Sequence, residues 1–252
     1  MLLSPQRGIV YGPVRSRRLG RSLGINLLPA GRKVCNFDCA YCQYGWTDPA
    51  QLAAMTAAGY PDMEAVVRAV AAALEGLAEP PAYLTFSGNG EPTLHARFGE
   101  IVTGVKALRD RLAPEARTAV LSNSSRVAEP AVREVLAALD QRIMKLDAGT
   151  EDGFRRINRP LGGLTLETVV EGLRRLVDVT LQTLLVAGPG GNLNVGEMDA
   201  WLDRVAAIRP RAVQLYTLDR AAPSDRIGPA TGEQLRAVGE RLGAFGVAAQ
   251  VF

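Results

Sequence analysis

The sequence predicts an α/β protein built as a partial (β/α)6 TIM-like barrel of parallel strands. Three observations carry the prediction. Six short β-rich runs alternate with six amphipathic runs, the helical runs are long enough to serve as crossovers, and nearly every polar or glycine-rich stretch follows the C-terminal end of a strand. The first strand is expected at residues 23–28 (LGINLL). Residues 62–78 then place Met63, Val66, Val67, Val70, Ala71, Leu74 and Leu77 at helical spacing, with Asp62 set to accept the first free N–H groups. Tyr83–Ser87 is rich in β-formers and is bounded by Pro80-Pro81 and Gly88, as a buried strand should be.

The alternation continues from there. A helix over about 97–112 leads to a strand at 118–122, and a helix at 130–140, with Pro130 suited to its first turn, leads to a strand at 142–147. A helix at 166–177 shows Leu166, Val169, Val170, Leu173, Leu176 and Val177 on one face and leads to a strand at 179–186. A helix at 196–208 precedes the strand at 212–218, and the helix at 232–245 opens with the capping-box spacing Thr231-Gly-Glu-Gln234. Strands joined by helical crossovers run parallel. Six polar loops converge on one site only where strands splay around it, as on the upper face of a barrel. Six units leave that barrel incomplete and open on one side, and with no internal linker the chain of 252 residues reads as a single domain.

Composition narrows the function. With 47% hydrophobic and 22% charged residues, fibrous and disordered classes are excluded. No apolar run approaches the roughly 20 residues of a membrane span, and the start has neither a basic leader nor a sustained apolar stretch, so a cytoplasmic location is expected. The net charge of +3 conceals an asymmetry: Arg7, Arg15, Arg17, Arg18, Arg21, Arg32 and Lys33 lie in the first 37 residues without one acid, so the remainder sums to −4. This basic segment, about residues 1–34, is expected to pack on or beside the barrel. Phosphate attraction by RNA would suit it too, but it lacks the interleaved aromatics that stack bases, and RNA is not favoured.

The only cysteines, Cys35, Cys39 and Cys42, fall within eight positions, which excludes a disulfide framework spread along the chain. They stand in a loop of roughly thirty residues after the first strand, compact enough to aim three sulfurs at one centre. Iron–sulfur clusters normally take four thiolates, so one iron would be left open to chemistry. A structural zinc ion is the alternative, with His95, the one histidine, as fourth ligand, although zinc sites usually show two separated pairs.

This C-x3-C-x2-C spacing, with Tyr41 just before the last cysteine, resembles the radical S-adenosylmethionine superfamily. Gly88-Asn89-Gly90-Glu91 is similar to the superfamily's glycine-rich stretch ending in Glu, which binds the cofactor's amino group, but carries one residue more than the commoner Gly-Gly-Glu. Ser122 and Asn123 follow the third strand, where the superfamily places groups facing the ribose or carboxylate. Lys145 and Asp147, two apart at the end of the fourth, project to one side and are candidates to reach cofactor or substrate, including as catalytic groups. Gln182 and Tyr216 point inward, as core polar residues or as cofactor-binding residues. Gly12–Gly20, Gly24–Pro29 and Phe86–Thr93 resemble the branch of wyosine-forming tRNA enzymes and their bacterial relatives. Those enzymes carry a second cluster on further cysteines, and this chain has none to supply.

The resemblance implies a [4Fe-4S] cluster on Cys35, Cys39 and Cys42, with S-adenosylmethionine chelating its open iron. One electron from a flavodoxin or ferredoxin-type reductant would break the bond to C5′, and the resulting 5′-deoxyadenosyl radical would take a hydrogen atom from a small-molecule or nucleotide substrate. An activating enzyme acting on a partner's glycine, a tRNA-modifying enzyme and a non-catalytic metal-binding module remain as alternatives. Lys145 stands between two roles, the Schiff-base lysine of the wyosine enzymes and a salt-bridged group. Gly188-Pro-Gly-Gly191 reads as a turn or a binding loop, and Arg220 as an anion-binding or salt-bridged residue.

Overall fold

A computed structural model of the protein describes residues 1–48 and 59–252. Its strands are β1 (Val10–Ser16), β2 (Gly20–Ile25), β3 (Tyr83–Phe86), β4 (Arg117–Ser122), β5 (Gln141–Lys145), β6 (Val179–Leu184), β7 (Val186–Ala187), β8 (Ala212–Tyr216), β9 (Gly228–Pro229) and β10 (Ala249–Val251). The helices are α1 (Met63–Glu75), α2 (Phe98–Leu112), α3 (Pro130–Ala137), α4 (Glu151–Ile157), α5 (Leu166–Arg174), α6 (Val195–Ile208) and α7 (Gly232–Ala244). Caps expected from the sequence are made: Asp62 accepts from the Ala65 N–H at 2.6 Å, and Thr231 and Gln234 form the reciprocal capping box.

The eight-stranded sheet runs β1-β2-β3-β4-β5-β6-β8-β10, antiparallel between β1 and β2 and parallel from β2 onward. Each parallel strand therefore lies beside its chain neighbour. Right-handed crossovers that always step the same way put every helix on one face, with no point of reversal, so the sheet curls as a partial barrel and is not doubly wound. The period-2 alternation divides the side chains. Val120, Met144, Leu181 and Val213 join the core beneath the helices, while Ala119 and Ile143 form a separate cluster on the inner face.

The structure corrects the sequence reading in five places. The basic segment contains the β1–β2 hairpin, which adds an unexpected strand to the main sheet, and Leu19 in its turn is buried against Ala119 and Ile143 inside the barrel. A short helix, α4, and a final strand, β10, were not expected. The strand over 179–186 breaks after Leu184, and β7 pairs instead with β9. Helix α5 stops at Arg174, which leaves Val177 72% exposed and not on the buried face. The expected cysteine loop extends through residues 49–58, which lie outside the described residues. Among the described residues no helix is long and apolar enough to cross a membrane.

Candidate active site

The cysteine loop is fastened at both ends. Val34 donates to the Asn89 carbonyl (2.7 Å) and its own carbonyl accepts from Glu91 N–H (3.1 Å), a parallel bridge that holds Cys35 against the glycine turn after β3. Only glycine serves at position 90, where φ is +147° and a Cβ would stand 1.7 Å from the Val34 carbonyl oxygen. At the far side, Phe37 pairs with Pro160 and packs edge-on against Phe154 (5.4 Å), and Ala40 donates to the Ile157 carbonyl at 2.8 Å. Lys33 is buried, donates to the Gly45 carbonyl at 2.8 Å and faces Asp38 at 3.8 Å, closing the loop around its cysteines.

Cys35 and Cys42 line a cavity of about 480 Å³ together with Tyr41, Gly88, Gly90 and Gln182. Cys39 is buried beside it. N–H groups are aimed at the sulfurs: Phe37 N (3.5 Å) and Asn123 Nδ2 (3.5 Å) at Cys35, and Asn158 Nδ2 (3.6 Å) at Cys39. Burial, with repulsion from neighbouring thiolates, pushes the Cys39 thiol up to about 12 and the Cys35 thiol higher still. Such thiols ionise readily only when a cation takes the place of their protons. Among the described residues no three His, Cys, Asp or Glu side chains gather around a single ion. Three thiols without a fourth ligand beside them among the described residues match an iron–sulfur centre with one open iron better than a closed four-ligand zinc site.

His95 is not the fourth ligand. It is buried, its Nδ1 accepts from Arg97 N–H (3.1 Å), its Nε2 therefore donates to the Pro61 carbonyl (2.9 Å), and its ring meets Tyr60 edge-on.

Several residues expected to face a cofactor turn away from the cavity. Asn89 is fully buried and ties Gln6 and Pro29 to the turn through its side chain. Glu91 is equally buried: its carboxylate accepts from Thr93 N–H (3.1 Å), Thr93 Oγ1 (2.7 Å), Ser122 Oγ (2.9 Å) and Asn123 N–H (2.5 Å). Burial pushes the Glu91 carboxyl above its ordinary range while those donors pull it down. Glu91 and Ser122 thus brace the ends of β3 and β4, and neither lines the cavity. Asn123 serves the cysteine loop, donating to Asn36 at 2.9 Å as well as toward Cys35. What the glycine turn presents to the cavity is backbone, at Gly88 and Gly90.

Behind Tyr41 lies a buried polar chain. Tyr41 donates to Asp147 Oδ2, which also accepts from Asn158 (2.8 Å), while Oδ1 accepts from Leu184 N–H (2.8 Å) and faces Lys145 Nζ at 3.3 Å. Lys145 donates to the Tyr216 hydroxyl at 2.6 Å and sits under the rings of Tyr41 and Tyr216. Burial works to lower the Lys145 pKa, but Asp147 and Tyr216 outweigh it and the result is raised. The ammonium is therefore salt-bridged and held charged, which disfavours a Schiff-base amine. Lys145 and Asp147 do not line the cavity; they position Tyr41 and Tyr216, which do. Gln182 faces it too, donating to Gln214 at 3.1 Å. Gly188–Gly191 is a plain turn, with Gly190 donating to the Arg226 carbonyl at 3.0 Å, and Arg220 stands exposed on the cavity wall.

Asn158 has no place in the sequence reading. Asn158 caps α4, and the acidic Thr150-Glu151-Asp152 start of that helix was the signal available.

The sequence model described as Radical SAM superfamily matches residues 33–202. A UPF0026 protein of Synechocystis is 34% identical over 223 residues, covering 86% of this chain and 78% of its own. Among solved structures, a radical SAM methyltransferase from Sphaerobacter thermophilus superposes with a TM-score of 0.64 at 18% identity, covering 92% of this chain and 65% of that one. The structure of TYW1 with a lysine-pyruvate adduct bound gives 0.59 at 16% identity, covering 89% and 73%. At these identities the two structures speak for the fold, a partial barrel.

Proposed function

The chain belongs to the radical SAM superfamily, and within it to the UPF0026 proteins, and from there we propose that Cys35, Cys39 and Cys42 hold a [4Fe-4S] cluster beside a site for S-adenosylmethionine. Members of the superfamily are enzymes that use this pair, so a non-catalytic metal-binding module is set aside. When bound, the pair supplies one-electron reductive cleavage of S-adenosylmethionine and, through it, removal of a hydrogen atom from a small-molecule or nucleotide substrate.

The residues of this chain do the remaining work, within one radical SAM domain. Cys35, Cys39 and Cys42 give up their protons on loading. The N–H groups of Phe37, Asn123 and Asn158 offset thiolate charge that burial would otherwise penalise, which raises the potential toward the reach of a reductant. Backbone at Gly88 and Gly90 is open to an ammonium group, since no side chain intervenes there. Tyr41, fixed by Asp147, and Gln182 and Tyr216 wall the space in which a substrate would sit and help exclude water. All three cysteines are spent on one cluster, so the electron comes from a separate flavodoxin or ferredoxin-type protein.

The observation that supports this reading most is the Val34–Gly90 bridge, which brings the first thiol and the glycine turn to one cavity. Anaerobic cluster assembly should load about four irons per chain. With dithionite, the loaded protein should then release 5′-deoxyadenosine, and alanine at Cys35, Cys39 or Cys42 should abolish both. A fully loaded protein that releases none would overturn the reading.

A further inference from the structure

One wall of the cavity carries a cation that the cofactor reading leaves unused. Arg18, in the turn of the β1–β2 hairpin, lays its guanidinium over the Tyr216 ring at 4.2 Å, with the Phe252 ring at 5.5 Å. Its Nε is buried and has no hydrogen-bond partner among the described residues. The other cations against the site's rings and loops have acids beside them, and Arg220, further out on the wall, stands exposed to solvent. Arg17 pairs with Asp219, Lys145 on the same Tyr216 ring faces Asp147 at 3.3 Å, and Lys33 faces Asp38 at 3.8 Å. Arg18 forms no ion pair among the described residues, while Arg17, Arg18 and Arg220 face the cavity with Asp219 the one carboxylate on that wall.

Building on the radical-enzyme reading above, we propose that Arg18 docks an oxyanion, a carboxylate or phosphate carried by the substrate, at the hairpin wall of the cavity. A guanidinium held flat on an aromatic ring has little rotamer freedom left to lose, and its edge offers the paired N–H groups that match two oxygens of such an anion. Leaving the cation unpaired and half-desolvated is costly, and an incoming anion offsets that cost. Burial already pulls the Arg18 pKa below its ordinary value; Tyr216 opposes that, Arg17 adds repulsion, and the more distant Asp219, already paired with Arg17, opposes it weakly. The hairpin thereby gains a reason to fold over the barrel.

The test is calorimetric titration of phosphate and, separately, malonate into the protein in chloride-free buffer, comparing wild type with Arg18→Met, Arg18→Lys and the remote surface variant Arg236→Met. Wild type and Arg236→Met should bind at least one of the two anions. Arg18→Met should weaken that binding about tenfold or more, and Arg18→Lys should keep part of it. Tighter phosphate binding assigns a phosphorylated substrate, and tighter malonate binding a carboxylated one. Absence of binding in wild type, or equal binding by Arg18→Met, overturns the proposal. So does an Arg18→Met protein whose affinity for S-adenosylmethionine falls in step, since the arginine would then serve the cofactor. Cluster loading and cofactor cleavage, measured on the same samples, report separately on the radical-enzyme reading, because anion binding needs no cluster.

Discussion

Asn158 directs one amide at three acceptors, Cys39 Sγ at 3.6 Å, the Tyr41 hydroxyl at 3.2 Å and Asp147 at 2.8 Å, so a single side chain links the cysteine loop to the polar chain behind the cavity. Removing it in Asn158→Ala should leave iron loading intact and lower the cluster potential. The loss of about 1 kcal/mol corresponds to roughly 40 mV for one electron, readable by potentiometric titration followed by electron paramagnetic resonance. Gly90 makes a sharper demand. In Gly90→Ala the added methyl collides with the Val34 carbonyl, and the expected outcome is loss of the bridge, a lower Tm and poor iron retention. Tyr11 shows the same economy at a protonation site. Its ring covers Gly24, its hydroxyl bonds Ser87 at 2.6 Å, and burial raises it to about 12. The folded state therefore holds a proton that the unfolded state releases above pH 10. Stability should fall between pH 10 and 12 by up to about 1.4 kcal/mol per pH unit, and Tyr11→Phe should flatten that decline in urea titrations across the same range.

At the scale of elements, the helices follow local rules where nothing competes with them. In α6 and α7, Gly196 and Gly243 have open space where a Cβ would go and are not held at positive φ. Alanine at either should add about 0.5–1 kcal/mol to stability, measured by chemical denaturation. Thr231→Ala should cost about 1 kcal/mol by opening the capping box of α7. The elements that the sequence hid are those whose ends are set by tertiary contact. Helix α4 is only seven residues long, too short for a periodic signal, and it persists because Phe154 packs on Phe37 and buried Glu197 accepts from Gly149 (2.5 Å) and the Thr150 hydroxyl (2.6 Å) at its start. Strand β1 was unreadable for a similar reason, since much of it is exposed and its apolar pattern is weak.

At the scale of the molecule, the sheet ends in two edges, β1 and β10, and the hairpin turn reaches across the inner face toward the far one. Arg17 pairs with Asp219 beyond β8, and Arg18 stacks on Tyr216 and Phe252. Strands β4, β5 and β6 each have parallel neighbours on both sides and are covered by helices, so their amides should exchange with deuterium most slowly, and those of β1 and β10 fastest. Equal protection across all strands would contradict an open barrel with two edges.

The sequence by itself determined the parallel α/β class, the order of the crossovers and the three-thiol motif, because periodicity, capping and cysteine spacing are local and survive in one dimension. Tertiary structure alone decided which polar groups face the cavity. Glu91, Ser122 and Asn89 carry the same chemistry as groups that would contact a cofactor, yet in the fold Glu91 and Ser122 bond each other between strand ends and Asn89 ties the N-terminal segment to the glycine turn. Arg18, one of seven cations in a basic run, looked like surface charge until the hairpin folded it onto Tyr216. Whether a polar side chain is satisfied internally or left for a ligand depends on partners remote in sequence, and burial makes that difference costly enough for the fold to settle it.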